Sequence, residues 1–444
     1  MKARRRITAI LASVLVGAVL GPPAQTSAAP RALGASGGHG ASGASRLVVP
    51  PGRMPRPLEP GFVVTPFAVT GGTPSSLAWG PATNDSGTER LYVVDNTGGD
   101  VLVFDDLGGV GSPPEVFATG FNNPLGIVAG IDGTVYVADT EPAREGPFGF
   151  RGYGRVWRVI DEDEDGIGDK QEVVLKDLPT GRHNTNGLAF GPDGMLYVAN
   201  GNSTDDGVEG GESEALPWSG SVVRFDPDGT EMSVVKLPLK KTLVATGWRN
   251  VYDLAFSPVA PSKLFVPMNG IDDARQGSTA ENPVDPELED TDDLLYMTDV
   301  KDRRIDHFGF PSCMYNIART GDLEPYDNPN PDVIEKFGPC SLKTPRPVSS
   351  FGLHTSSDGL AFQVTDAWGP DHQHDLFVAE WGSLFGPPRG HDIIRVQLDA
   401  TGTKVESQSS FLELDTPLDL TFDAAGAMYI ADFSGLIFKV DRVV

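Results

Sequence analysis

Three polar side chains stand at matching distances ahead of matching sequence. His183 lies five residues before Leu188 in "HNTNGLAF", Arg249 five before Leu254 in "RNVYDLAF", and His354 six before Leu360 in "HTSSDGLAF". A histidine, with its near-neutral pKa, can take a hydroxyl proton as general base, and an arginine can hold a carboxylate or a developing oxyanion. Strands that pack side by side after these residues would bring all three to one place, although they are far apart in the chain.

A second group has ligand chemistry. The stretch "DEDEDGIGDKQE", residues 161–172, puts Asp161, Asp163 and Asp165 at positions 1, 3 and 5 and Gly166 at 6. Ile167 follows with its carbonyl at 7, Asp169 at 9 and Glu172 at 12. This is the oxygen-only spacing of an EF-hand calcium loop, with glycine at its sharp turn. The flanks "GRVWRVI" and "VVLKDL" read as strands, so the loop is expected in a β-hairpin, which calcium would pin. The acidic run "STDDGVEGGESE" from Ser203 lacks such spacing and reads as a solvated loop.

The elements that must carry these groups repeat. "SSLAWGP…ERLYVVDNTGGDVLVFD" starts at Ser75, and units of the same build start at Pro124, Asn186, Tyr252, Asp358 and Leu418. Each has an apolar strand, a turn often carrying Gly, a second strand ending in a small residue, a variable loop and a third strand. Six antiparallel units, none able to bury its faces alone, imply an all-β fold, a six-bladed β-propeller. In that fold the first strand of each blade lies nearest the central channel, so His183, Arg249 and His354 fall at the channel mouth. Residues 61–71, "GFVVTPFAVTG", are expected to supply the outer strand that closes the ring on the last blade. Two insertions, 203–220 and 272–350, are too long for turns and are expected to carry specificity.

The remainder of the chain bounds where such a protein works. Of 444 residues, 61 are acidic and 35 basic, for a net charge of −26, which disfavours nucleic acid and anionic lipid and suits cation binding. Residues 1–28 read as a secretory signal: basic start, apolar run from Ile7 to Leu20, small residues to Ala28. That run is too short to prefer a membrane span, so the expectation is a secreted protein without one. Residues 29–60, rich in Gly, Ala, Ser and Pro, read as a disordered or extended leader, and 61–444 as the propeller. In an oxidising compartment Cys313 and Cys340 are expected to form a disulfide closing an irregular loop. There is no GxSxG elbow, no P-loop, no HExxH and no βαβ unit for a nucleotide cofactor.

The motifs "LPTGRHNTNGLAFGPDGMLYVANGN", "TGWRNVYDLAFSP", "DTDDLLYMTD", "FGFPSC" and "LHTSSDGLAFQ…DLFVAEWGSLFGPPRGHDIIRVQLD" together resemble the soluble quinoprotein glucose/sorbosone dehydrogenase family, nearer its sorbosone-type branch. The resemblance covers nearly all the chain from about residue 61. It implies a secreted oxidoreductase acting on a small sugar or polyol, with pyrroloquinoline quinone (PQQ) and Ca2+ at the channel mouth and an electron acceptor that the sequence does not name. On this resemblance His183 is the catalytic base, with Arg249 and Asn250 beside the cofactor. Gly270 and Ile271 would offer carbonyls to the cofactor's calcium, and Asp292 and Asp293 match the family's acidic pair. Where glucose-oxidising members place two arginines before the last blade, this chain has Thr416 and Leu418, so Arg182, His354 and Arg389 are the cations left to pair with the cofactor's carboxylates. Two further readings accompany this one: a non-catalytic, calcium-stabilised propeller that binds carbohydrate or protein, and a metal-dependent lactonase or hydrolase, which would need carboxylates from several blades at the axis.

Overall fold

The computed structural model describes residues 49, 54–81, 89–146, 149–205, 207, 216–271, 290–341, 343–383 and 388–443, with the side chains of 143–151 left aside. The chain divides into two units, residues 1–46 and 47–444, and everything described belongs to the second. The expected signal, most of the expected leader and the inserted residues 272–289 lie outside the described residues.

Six antiparallel sheets form the blades of a propeller, as the cassettes imply. Their innermost strands are Pro74–Gly80, Gly126–Ala129, Thr185–Phe190, Asn250–Val251 with Ala255–Phe256, Ser357–Phe362 and Pro417–Phe422. The second strands explain the continuous apolar runs of the sequence. Every residue of Arg90–Asp95, Leu196–Asn200, Leu376–Glu380 and Met428–Asp432 is buried, because each such strand is covered by a neighbouring blade on both faces. An outer strand such as Val405–Glu413 has a run of exposed residues instead.

The core is a set of six seams, one between each pair of adjacent blades. Tyr92 and Val103 meet Ile127 and Val137; Tyr136 and Ala138 meet Leu188 and Val198; Tyr197 and Ala199 meet Leu254 and Val266. Phe265 and Leu295 meet Leu360 and Val378, Phe377 and Ala379 meet Leu420 and Ile430, and Tyr429 and Ala431 return to Leu77 and Val93. The ring is shut by Phe62–Val69, which pairs antiparallel with Leu436–Arg442, the role expected of residues 61–71.

Residues 54–60, assigned to the leader by composition, are joined to the propeller. Arg56–Pro57 pairs with Val405–Glu413 on the outer edge of the fifth blade, and Glu59 bonds Arg395 and His372. Met232–Ser233 and Asp306–His307 cover the outer edges of the second and third blades in the same way, in parallel register.

One clamp recurs in all six blades. An acidic or amide residue follows the apolar run of each second strand: Asp95, Asp139, Asn200, Asn269, Glu380 and Asp432, the second blade's strand Val135–Gly146 running on beyond Asp139. Each accepts a hydrogen bond from the start of its own blade's first strand, from Thr73 N, Asn122 N, Thr185 Oγ1, Asn250 Nδ2, Ser357 Oγ and Thr416 N respectively. The clamp fixes the segments that line the channel mouth. Cys313 and Cys340 are bonded, and among the described residues no helix is long and apolar enough to cross a membrane.

Candidate functional site

His183 is held by three strands of chain zipped together by backbone bonds. Arg182 N donates to Ser203 O, His183 N to Asn202 O, and Asn202 N to Arg249 O, at 2.9, 3.2 and 2.6 Å. The lead into the third blade, the exit of its second strand and the lead into the fourth blade thus become one unit. Gly201 makes it possible, since a Cβ there would lie 2.5 Å from His183 Cβ and 2.7 Å from Asn250 Oδ1.

The imidazole Nδ1 lies 2.8 Å from Asn202 O. A carbonyl only accepts, so Nδ1 carries the hydrogen and the lone pair of the neutral ring is on Nε2. Burial first, then the charge of Arg249, push the His183 pKa down to about 3, against an upward pull from Asp205 and the Asn202 carbonyl. The ring is therefore neutral across ordinary pH, with Nε2 the proton acceptor.

The cations beside it are balanced by Asp205. Arg249 donates through Nη2 to the Asp205 carboxylate, through Nε to Asp205 O at 3.2 Å and through Nη1 to Asn269 O at 3.3 Å. Arg182 Nη2 stands 3.6 Å from the other carboxylate oxygen. Burial raises the Asp205 pKa, but Arg249, His183 and Arg182 outweigh it and hold the carboxyl below its ordinary range. Asp205 is 1% exposed, which corrects the reading of Ser203 onward as a solvated loop at its first three residues. Thr204 turns back onto Asn202 Oδ1 through both its N–H and its hydroxyl, at 2.8 Å, and this turn aims the next residue inward. The run of like residues hid it, because the two arginines that make its burial favourable come from elsewhere in the chain.

Amides continue the site across three blades. Asn186 donates to Asn250 Oδ1 at 3.1 Å, Asn250 to Asn269 Oδ1 at 2.6 Å, and Asn269 to Ser357 O and Asp358 Oδ1 at 3.0 and 3.3 Å. Beyond them is a second cluster. His354, at φ 56°, meets the Asp290 carboxylate through Nε2, and Arg389 acts on the charge of Asp292. The structure thus joins His183, Arg182, Arg249 and Asn250 directly, and places Gly270, Ile271, Asp292 and Asp293 on the same fourth blade as Asn250, with His354 and Arg389 at the fifth.

That second cluster is already satisfied within the protein. Asp292 Oδ2 accepts from Ile317 N and Ser350 Oγ, and Asp293 accepts from Gly270 N, Thr355 Oγ1 and Ser357 N. The Ile271 carbonyl accepts from Thr291 N at 3.1 Å. Burial raises the pKa of both Asp292 and Asp293. Among the described residues, Gly270 N, the Ile271 carbonyl and the two carboxylates are thus engaged in bonds within the protein. Nearer the axis, Asp253 accepts from Leu360 N, and Asp419 from Ser76 Oγ and Leu77 N, so these carboxylates staple blades together.

An anionic cofactor does fit the first cluster in part. Two guanidiniums share one carboxylate, and Arg182, partly exposed, keeps donors to spare at a mouth whose histidine is neutral. The last blade adds nothing: Thr416 bonds Asp432 through both N and Oγ1, and Leu418 is fully buried. The fit is to one carboxylate at Arg182 and Arg249, not to three.

The loop at 161–169 lies at the opposite end of the second blade from the mouth, between its third and fourth strands. Oxygens of Asp161, Asp163 and Asp169 lie within 4.8 Å of one another. Asp165 and Asp169 push the Asp163 pKa up, a repulsion that a cation would relieve. Glu172 points elsewhere. It stands in the strand ladder opposite Arg158 and pairs with Arg158 and Lys170 at 2.6 and 2.8 Å, because a hairpin does not turn its twelfth residue back as a helix does.

Residues 106–433 match a family described as a domain of unknown function, DUF7133. No curated protein matches the sequence. Among solved structures, the calcium structure of a Trichoderma reesei carbohydrate-active enzyme of family AA12 is 16% identical, with a TM-score of 0.68 over 90% of this chain and 99% of that one. The holo PQQ domain of pyranose dehydrogenase from Coprinopsis cinerea is 15% identical, with a TM-score of 0.67 over 88% and 98%. The PQQ-bound aldose sugar dehydrogenase from Streptomyces coelicolor is 19% identical, with a TM-score of 0.56 over 87% and 99%. At these identities the likeness is one of fold.

Proposed function

The chain belongs to the DUF7133 family, a domain of unknown function, and we propose that this member is a secreted PQQ- and calcium-dependent dehydrogenase of sugars or polyols. The observation that carries the reading is His183: Nδ1–H fixed on Asn202 O, the lone pair left on Nε2, and Arg182 and Arg249 paired with Asp205 alongside. The solved structures that share the fold and whose titles name PQQ and sugars support it.

In this reading a substrate hydroxyl lies against His183 Nε2 and gives up its proton there, while its carbon loses a hydride and becomes a carbonyl. A base held near pKa 3 is weak, so proton transfer has to accompany hydride departure and cannot precede it. Arg182 and Arg249 hold the negative charge that gathers at the mouth. PQQ, when bound, would supply the quinone that accepts the hydride, with a carboxylate at Arg182 and Arg249 and Asn250 beside it. Asp205 keeps Arg249 from swinging onto the imidazole. The amides of Asn250 and Asn269 suit a polyhydroxylated substrate, since each both donates and accepts. Calcium is assigned to Asp161, Asp163, Asp165, Asp169 and the Ile167 carbonyl, where it pins a hairpin far from the chemistry.

One observation favours a second reading. The last blade brings no cation to the mouth, which suits a propeller that binds carbohydrate without oxidising it. Chelator-stripped protein given calcium and then titrated with PQQ, followed by absorbance and by dye reduction with aldoses and polyols, separates the two. Saturable binding with sugar-dependent reduction supports the dehydrogenase, whereas sugar binding by calorimetry without reduction supports the second reading.

A further inference from the structure

The segment closed by the disulfide touches the charged pairs of the mouth from outside. Phe308 N and Phe310 N donate to Thr246 O and Gly247 O at 2.8 Å, just ahead of Arg249, and the Phe308 ring stacks on Trp248 at 4.4 Å. Pro311 packs on Gly207, two residues after Asp205: a Cβ on Gly207 would lie 2.3 Å from Pro311 Cβ, and its φ of 97° suits glycine. Asn316 Nδ2 donates to Asp290 O at 2.7 Å, behind the Asp290–His354 pair. What holds this segment in shape is local. Cys313–Met314 pairs with Tyr326–Asp327, Asn328 Nδ2 donates to Pro311 O at 2.9 Å, and Cys340 is bonded to Cys313. A narrow cleft lined by Arg249, Ile271, Phe308, Phe310, Met314 and Tyr315 lies where it meets the fourth blade.

We propose that the Cys313–Cys340 disulfide is a positioning clasp for the mouth: it presses Pro311 onto Gly207 and Phe308 onto Trp248, and so fixes Asp205 between Arg182 and Arg249 beside His183. With the clasp open, the segment is held to the ring only by its packing and backbone bonds and Asp205 loses its backing; of the six seams, the bond borders only the one between the third and fourth blades. The site is then sensitive to thiols. A dithiol such as dithiothreitol passes two electrons and two protons to the S–S bond, giving two cysteine thiols, and closes to its own disulfide.

The inference deepens the proposed function, and only its kinetic arm rests on that reading. The test follows the ring protons of His183 by NMR in the full chain, assigned with His183→Gln, against pH. The samples are wild type, the Cys313→Ala/Cys340→Ala double variant, Gly207→Ala with the disulfide intact, and Val103→Ala in the first-blade core as a control for general loosening. Wild type should keep His183 neutral to about pH 3. In both mouth variants water should reach the imidazole, and relief of its burial, the largest cause of the depression, should outweigh the loss of Asp205's upward pull and raise that titration toward the ordinary imidazole range by roughly one pH unit or more, while Val103→Ala leaves it in place. Should the double variant not fold, dithiothreitol-treated wild type takes its place, with recovery on reoxidation. In the kinetic arm kcat should fall about 10- to 100-fold with a smaller change in KM. Titrations matching wild type in both mouth variants, or an equal shift in Val103→Ala, overturn the proposal. A wild type without turnover removes only the kinetic arm.

Discussion

His183 is set apart from an ordinary exposed histidine by its burial, one carbonyl and one arginine. Asn202 O fixes the tautomer, and burial, then Arg249, oppose protonation, so the folded protein prefers the neutral ring well below pH 6.5, whereas the unfolded chain protonates near it. A group whose pKa is depressed on folding lends stability above its unfolded pKa and loses it as pH falls toward the folded value. The urea midpoints of wild type and His183→Gln are therefore expected to converge between neutral pH and about pH 4, with wild type losing more; parallel curves would contradict the assigned environment. The histidine was legible because its distance to Leu188 repeats at Arg249 and Leu254. Asp205 was not, because nothing local distinguishes a carboxylate that two distant arginines will bury.

The recurring clamp is what turns strand ends into positioned side chains. Asn200 accepts from Thr185 Oγ1 and donates to Pro179 O and Trp218 O, all buried, and its neighbours Gly201 and Asn202 hold His183. Asn200→Ala leaves those groups unpaired and should cost about 2–3 kcal/mol in urea denaturation. The motif stands in the sequence as the Asp, Asn or Glu that follows each second strand's apolar run, as in "VVD", "VAN" and "IAD". The calcium loop belongs to this scale too. Asp163→Ala should abolish the rise in melting temperature that calcium gives wild type, while Glu172→Gln, which loses only its pairs to Arg158 and Lys170, keeps it; equal calcium response in Asp163→Ala would return the loop to a solvated turn.

At the scale of the unit 47–444, the six blades form a ring whose last blade is completed by Phe62–Val69. Phe62 locks that strand with edge contacts to Trp368 and Phe411 at 4.9 and 4.8 Å, beside the Glu59, His372 and Arg395 network. Phe62→Ala should lower stability by about 3–5 kcal/mol in a single cooperative transition; a separate early transition of the last blade would show that closure is local. Blade number and closure were legible because a propeller must present the same apolar faces six times. The Cys313–Cys340 bond within the long insertion was legible too, whereas the edge strands at Arg56 and Asp306 were not, since each is defined by a partner far away in the chain.

The central claim is that His183 takes the substrate proton at the channel mouth. The most direct measurement is steady-state dye reduction by wild type and His183→Gln, each loaded with PQQ and calcium, on the best sugar or polyol of the panel. A fall of roughly 10²- to 10⁴-fold in kcat with cofactor affinity unchanged is the predicted result. Equal turnover in the two proteins would contradict it.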